Sequence, residues 1–227
     1  LNRVSVVVPA FNAEKTLPET LRSIAAQTRA ADEIIVVDDG STDATADRAA
    51  EAAGVRVVRQ GNAGTGGALN AGLRAAIHPV IALLDADDVW DARCLEVHLA
   101  HLERAPGLDA SVGRVAEFVC PSLTPAEAAR FQPRLAQTGW LSGATVVRRR
   151  GFDRAGPFDA ALRSRAWIDW MARARRAGVH FGVIDEVVLR RRLHPESLSV
   201  HAREQGNAGM LEAVKRALAR RRGESHG

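Results

Sequence analysis

The chain has no tyrosine, two cysteines, two methionines and only 4% aromatic residues in a length of 227. Lysine is equally scarce: Lys15 and Lys215 are the only two, so nearly all positive charge is arginine. Cys94 and Cys120 lie far apart without metal-ligand spacing, which fits a reducing compartment and inert core thiols. No apolar run reaches the length of a membrane span, and no signal peptide opens the chain. These absences predict a soluble, cytoplasmic protein, at most peripheral to the inner face of a membrane. The formal charge is +4, borne by arginine and without a long basic and aromatic stripe. That pattern excludes a nucleic-acid footprint and suggests arginine forks for phosphate. The length suits one α/β domain over residues 1–222, with 223–227 as a disordered tail.

What is present centres on Val80–Trp90. An apolar run of aliphatic and β-branched residues there reads as a strand covered on both faces. It ends abruptly in Asp85, Ala86, Asp87 and Asp88. Carboxylates at the carboxyl end of a strand sit where open α/β sheets bind ligands. Asp85 and Asp87 alternate, and such a pair can offer hard oxygen ligands to Mg²⁺ or Mn²⁺ bridging a diphosphate. A solvated acidic turn is the other reading of the same residues.

Strand and helix patterns alternate through the first half. Val4–Val8 reads as a strand closed by Pro9, followed by a helix through Leu17, Leu21 and Ile24 with Thr16 as N-cap. Glu33–Val37 is a second strand, and Asp43 can cap the Ala-rich helix after it. Val55–Arg59 is a third strand, Ala68–Ala76 a helix, and Val80–Leu84 a fourth strand. This alternation predicts a single Rossmann-like, mainly parallel sheet flanked by helices. Leu95, Leu99 and Leu102 mark another helix, Ala110–Phe118 another strand, and Thr124–Gln137 a helix with irregular flanks. From Gly139 onward the texture shifts to Trp, Gly, Pro and Arg.

Three loops should converge on the crevice beside Asp85 and Asp87, because each leaves the carboxyl edge of its strand. They are Val8–Leu17, Val37–Asp43 with its Asp38-Asp39-Gly40 turn, and Asn62–Gly72. The last is no P-loop, since no Gly-Lys-Ser/Thr ends it, and Leu69 stands where a dinucleotide fingerprint needs glycine. In order and spacing these motifs resemble the family 2 glycosyltransferases of the GT-A fold, from Val4 to about Ser199. The resemblance makes 1–105 the nucleotide-binding half, 106–205 the acceptor-side half and 206–222 a C-terminal helix.

The resemblance implies roles. Pro9 and Phe11 would line a base pocket, Glu14 would approach the ribose, and Asp39 would accept from the ring N–H of a uracil-type base. Asn62 belongs to a segment that lets backbone approach the donor, and Asp85 and Ala86 would contact it as well. Many relatives carry Arg at the position of Leu69, so one expected contact is unfilled. Arg192, His194 and Ser197 match the family's Arg-x-His-x-x-Ser segment, which folds over the diphosphate. Arg192 would clamp it with Ser197 beside it, and His194 would join Asp87 on Mn²⁺ or Mg²⁺. Most relatives place a Glu-Asp pair, whose aspartate is the usual base, where this chain has Ala166 and Trp167. Asp169 then becomes the candidate general base, or merely the cap of a helix Trp170–Ala177. Trp167 would pack beside the sugar or an apolar acceptor.

The expected activity is metal-dependent, inverting transfer from a nucleotide-diphospho-sugar, with a UDP-sugar implied by resemblance. The acceptor could be a glycan, a lipid-linked sugar, a metabolite or a peptide. A non-catalytic nucleotide-sugar-binding paralogue would account for Ala166-Trp167 and Leu69, and a nucleotidyltransferase shares the layout of sheet and acids. Gly209–Arg222 reads as an amphipathic helix, docked on the domain by Met210, Leu211, Val214 and Leu218 or held at an anionic membrane.

Overall fold

A computed structural model describes residues 3–162 and 165–195. Ser197, the expected helix over 206–222 and the tail 223–227 lie outside the described residues. Four parallel strands form the first half: β1 (Val4–Ala10), β2 (Glu33–Asp38), β3 (Val55–Arg59) and β4 (Val80–Leu83). Helices α1 (Leu17–Ala25), α2 (Thr45–Ala50) and α3 (Gly64–Ala75) connect them. After the acids come β5 (Val89–Trp90), α4 (Cys94–Arg104), β6 (Ala110–Val119), α5 (Pro125–Ala128) and β7 (Gln137–Thr138). A 3₁₀ turn (Ser142–Ala144), β8 (Thr145–Arg148), α6 (Arg149–Ala155), α7 (Ala166–Arg176) and β9 (Phe181–Leu193) complete the order.

One sheet runs through both halves in the order β3-β2-β1-β4-β8-β6-β9-β5, with β7 beside β6. Four of its eight pairings are parallel and four antiparallel, so the sheet is mixed and not mainly parallel. The reversal comes from β8, which inserts antiparallel to both β4 and β6. Two reversals leave β6 and β9 pointing the same way as β4. The carboxyl ends of β1, β2, β4 and β9 therefore share one edge.

Burial explains why the strands read as apolar runs. Val4, Val6 and Val8 join one core layer with Leu17, Leu21 and Ile24 of α1. Val7 points the other way and joins α3, α6 and α7 in the second layer. Fully burying each such side chain contributes about 1.5–3 kcal/mol. Gly72 brings α3 so close to β1 that a Cβ there would overlap the Val7 side chain.

Three local expectations need correction. Strand β1 does not stop at Pro9 but pairs through Ala10, with Pro9 opposite Val37. The Ala10 carbonyl accepts from Asp39 on the β2 side, whereas the Val7 carbonyl accepts from Leu84 on the β4 side. The nitrogen of Pro9 thus faces the side where β4 has ended, and its missing N–H costs no ladder bond. Thr16 occupies the N-cap position of α1 without a side-chain cap, whereas Asp43 Oδ1 accepts from the Thr45 N–H at 3.0 Å. The long helix expected over 124–137 is a single turn, Pro125–Ala128, with a Thr124/Glu127 capping box and no buried residue. Without an apolar face, nothing extends it. Among the described residues no helix is long and apolar enough to cross a membrane.

Candidate functional site

The loops leaving β1 and β2 are stitched together. Asn12 N–H donates to Ser41 Oγ at 3.0 Å, and Thr42 N–H returns to Asn12 Oδ1 at 2.9 Å. Ala13 N–H donates to Thr45 Oγ1 at 2.7 Å. Glu14 Oε2 accepts from the Ala44 N–H at 3.0 Å, so one carboxylate oxygen secures the start of α2. Gly40 adopts φ +77°, and a Cβ there would lie 2.9 Å from Asn62 N. Glycine thus lets the loops after β2 and β3 touch. Phe11 stands 50% exposed beside them.

Asp39 is buried at the floor of this crevice. Its Oδ1 accepts from Gln60 Nε2 at 2.7 Å and from the Ala63 N–H at 2.8 Å. Those bonds fix the carboxylate plane, and its second oxygen has no hydrogen bond among the described residues. Asp38, also buried, accepts from the Ser41 N–H at 3.2 Å and shapes the turn.

The acids after β4 form the other wall. The Thr20 hydroxyl of α1 lies 3.0 Å from the Ala86 carbonyl and 2.8 Å from that of Asp88, which fixes the turn. Asp85 and Asp87 are half-buried, while Ala86 and Asp88 are buried. Burial first, then the neighbouring Asp87, pushes Asp85 up to about 6, against the pull of Arg191 and the Ser142 hydroxyl. Asp88 is held well above the usual carboxylate range by burial and by the charges of Asp87 and Asp85. At the end of β9, His194 Nε2 lies 3.1 Å from Asp87 Oδ2, with the two side chains 14% and 32% exposed. Residues over a hundred positions apart thus meet at one edge.

Arg192 takes up a different place from that of an open phosphate clamp. Its side chain is 3% exposed. The guanidinium donates to Glu19 Oε2 at 2.6 Å and to the Asp87 carbonyl at 2.8 Å. It also reaches Cys120 Sγ at 3.7 Å and lies over the Phe118 ring at 4.8 Å. The Arg192 N–H donates to Asp88 Oδ1 at 2.9 Å. Arg192 holds the acidic turn against β9 and α1. Cys120 is also not the inert core thiol expected of it: it is half-buried. Burial raises its pKa, but Ser122 and Arg192 outweigh that and bring it below the ordinary value. Cys94 is buried, and burial pushes its thiol up.

The start of α7 departs further from expectation. The helix begins at Ala166, so Asp169 lies inside it and does not cap a helix at Trp170. Asp169 is 2% exposed, and its Oδ2 accepts from Arg173 Nε at 2.9 Å. The same guanidinium donates to the carbonyls of Ala155 and Pro157, tying α7 to the end of α6. Trp167 does not line an open sugar site; it stacks on Trp170 with centroids 5.0 Å apart and donates to the Trp140 carbonyl at 3.0 Å. Sequence reasoning passed over Arg191 and Ser142, both of which act on Asp85. A hydroxyl just ahead of a strand was the available sign for Ser142.

A family model described as "Glycosyl transferase family 2" matches residues 5–156. An uncharacterized glycosyltransferase of Nostoc sp. is 41% identical over 99 residues, covering 41% of this chain and 31% of its own length. The UDP-Glc:alpha-D-GlcNAc-diphosphoundecaprenol beta-1,3-glucosyltransferase WfgD of Escherichia coli is 37% identical over 100 residues, 43% of this chain and 40% of that protein. The chain therefore matches less than half the length of these curated relatives. Among solved structures, S. aureus TarS 1-349 in complex with UDP-GlcNAc superposes with a TM-score of 0.67 at 20% identity, over 86% of this chain and 60% of that one.

Proposed function

The chain belongs to glycosyl transferase family 2 and has its GT-A fold, and from that premise we propose that it transfers a sugar from a UDP-sugar to an acceptor. The reading includes inversion at the sugar carbon and a divalent cation, Mn²⁺ or Mg²⁺, at Asp87 and His194. The observation that carries it is the meeting of Asp87 and His194 at the edge where buried Asp39 keeps one carboxylate oxygen without a hydrogen bond among the described residues. The donor class draws support from the E. coli relative, named for UDP-Glc, and from the TarS structure with UDP-GlcNAc.

The side chains fit such a cation. Two ligand atoms on one octahedral ion at about 2.1 Å each stand about 3 Å apart, and His194 Nε2 and Asp87 Oδ2 are 3.1 Å apart. Asp85, pushed up by burial and by Asp87, lies where added positive charge is favourable. Among the described residues no three His, Cys, Asp or Glu side chains form a complete metal cage. Diphosphate oxygens and water would complete the shell, as is usual for Mg²⁺. When bound, the cation neutralises charge on the departing diphosphate.

The chain's own residues orient and select. Asp39 accepts the uracil ring N–H through its second oxygen, beside the exposed ring of Phe11 and next to Pro9. Asp87 and His194 fix the diphosphate end, and Arg192 and Thr20 keep their turn rigid, which holds the donor for in-line attack at the sugar carbon. A base role for Asp169 requires its pair with Arg173 to open; its burial supports a helix-fixing role instead. That same burial, with Ala166 and Trp167 in the core, favours a second reading in which nucleotide-sugar is bound but not transferred. Release of UDP to any acceptor, or to water, separates the two.

The test is calorimetry of UDP with and without Mn²⁺. Wild type should bind UDP more tightly with the metal, and Asp87→Ala should lose that gain while its transfer falls by about 10²–10³-fold. Equal metal enhancement in both proteins would remove Asp87 from the cation site.

A further inference from the structure

We propose that Arg191, and not Arg192, is the guanidinium that meets the diphosphate of a bound nucleotide donor; the inference rests on the donor reading above. The two side chains leave β9 on opposite faces, because successive residues of a strand alternate. Arg192 pairs with Phe118 and Arg191 with Glu117 across β6. On the Phe118 face the guanidinium of Arg192 is closed in by Glu19, the Asp87 carbonyl and Cys120. Recruiting it to phosphate would break those bonds and loosen the turn that carries Asp87. A fork already satisfied and 3% exposed is a brace.

Arg191 stands on the other face under different conditions. Leu189, two residues earlier on that face, packs on the 3₁₀ turn: a Cβ on Gly143 would lie 3.1 Å from Leu189 Cδ1. The same Cβ would lie 3.4 Å from Leu84 Cδ1, so this turn sits between Leu189 and the residue that precedes Asp85. Arg191 therefore stands on the face of β9 that packs toward the exit of β4, where the acids begin. Its one hydrogen bond among the described residues runs from Nη1 to Glu117 Oε1 at 3.4 Å, and its side chain is 18% exposed. Most of its five N–H donors are thus without protein acceptors. A planar fork with spare donors, at the rim of a site for a dianion, matches phosphate bidentately. Glu117 would hold it in the absence of donor, and the diphosphate would draw it across.

Calorimetry of the full chain with UDP and with UMP, both in Mn²⁺, reads the second phosphate as the ratio of the two affinities. Arg191→Gln is expected to lower UDP affinity by roughly 10–100-fold and leave UMP near wild type, as for the loss of a charged hydrogen bond. Arg192→Gln should lower the thermal midpoint and weaken both ligands together, so the ratio persists. Should Arg191→Gln fail to fold, Arg191→Lys decides on the same ratio, since a point charge replaces the fork: a fall supports the proposal and no change overturns it. A folded Arg191→Gln with the wild-type ratio, or a folded Arg192→Gln that loses it, also overturns the proposal while leaving the donor reading intact. Wild type that binds no nucleoside diphosphate overturns both.

Discussion

The loops after β1, β2 and β4 and the first turn of α7 converge on the same edge of the sheet, yet they treat their polar groups in opposite ways. Helix α7 leads into the start of β9, so its own beginning points to the edge where β4 ends. In the loops, Asp39 bonds Gln60 and Ala63 through Oδ1 alone, and its second oxygen has no hydrogen bond among the described residues. In α7 the carboxylate of Asp169 is turned inward to Arg173, and Trp167 stacks on Trp170. One region leaves a polar group without a protein partner among the described residues. The other is built to be packed.

The sharpest way to break that contrast is Asp169→Asn, which should act on stability far more than on turnover. Removing one partner of a buried ion pair costs about 3–5 kcal/mol, and Arg173 would be left with the carbonyls of Ala155 and Pro157. Denaturant titration should show this loss, while transfer per folded molecule stays within a few-fold. The opposite result, an unchanged midpoint with transfer reduced by about 10²–10⁴-fold, would restore Asp169 as the general base.

Sequence periodicity located the elements well where one rule governed. Val55–Arg59 is a strand with the expected bounds, and the Asp85–Asp87 turn lies where an apolar run was seen to end. The meeting of Asp87 and His194 was implied by the family resemblance, since nothing in the spacing of either segment alone brings them together. What escaped was set by tertiary context. Whether Arg191 or Arg192 faces the crevice depends on the register of β9, which shifts at irregularities against β6. The start of α7 was missed because Ala166 and Trp167 serve as its first-turn core residues, and no N-cap side chain marks the boundary. The mixed sheet was equally hidden, since β8 is four residues long and its direction follows from the turn before it.

A smaller effect sharpens the donor side of the comparison. In Asp39→Asn the amide oxygen must stay toward Gln60 and the Ala63 N–H, so the NH₂ group takes the outward position. A uracil ring N–H would then face a donor, which should cost UDP about 10–100-fold in affinity. Cytosine, with an acceptor at that ring position, should lose nothing or gain. Competition among UDP, CDP and GDP measures the ranking, and a ranking equal to wild type would reduce Asp39 to a turn residue.

The smallest effect sets the crevice acids against buried His98 and its half-buried neighbour His101, through pH. His98 and His101 on α4 each place Nδ1 2.8 Å from Ser111 Oγ, and burial drives His98 down to about 3. A histidine with a depressed folded pKa binds its proton in the unfolded chain first. Stability is therefore lost as pH falls below the unfolded value near 6.5, by about 1.4 kcal/mol per unit until the folded value is reached. His101, lowered chiefly by burial, adds in the same direction. Asp85 has the opposite sign: its folded pKa of about 6 lies above the unfolded 3.8, so its protonation favours the folded state as pH falls between them. Asp88, raised well above 3.8 by burial, pulls the same way. From pH 6.5 to 5 the urea midpoint of His98→Leu should rise relative to that of wild type, because the acids then act without the opposing histidine. Parallel slopes in the two proteins would show that His98 is not the group that makes this fold sensitive to acid.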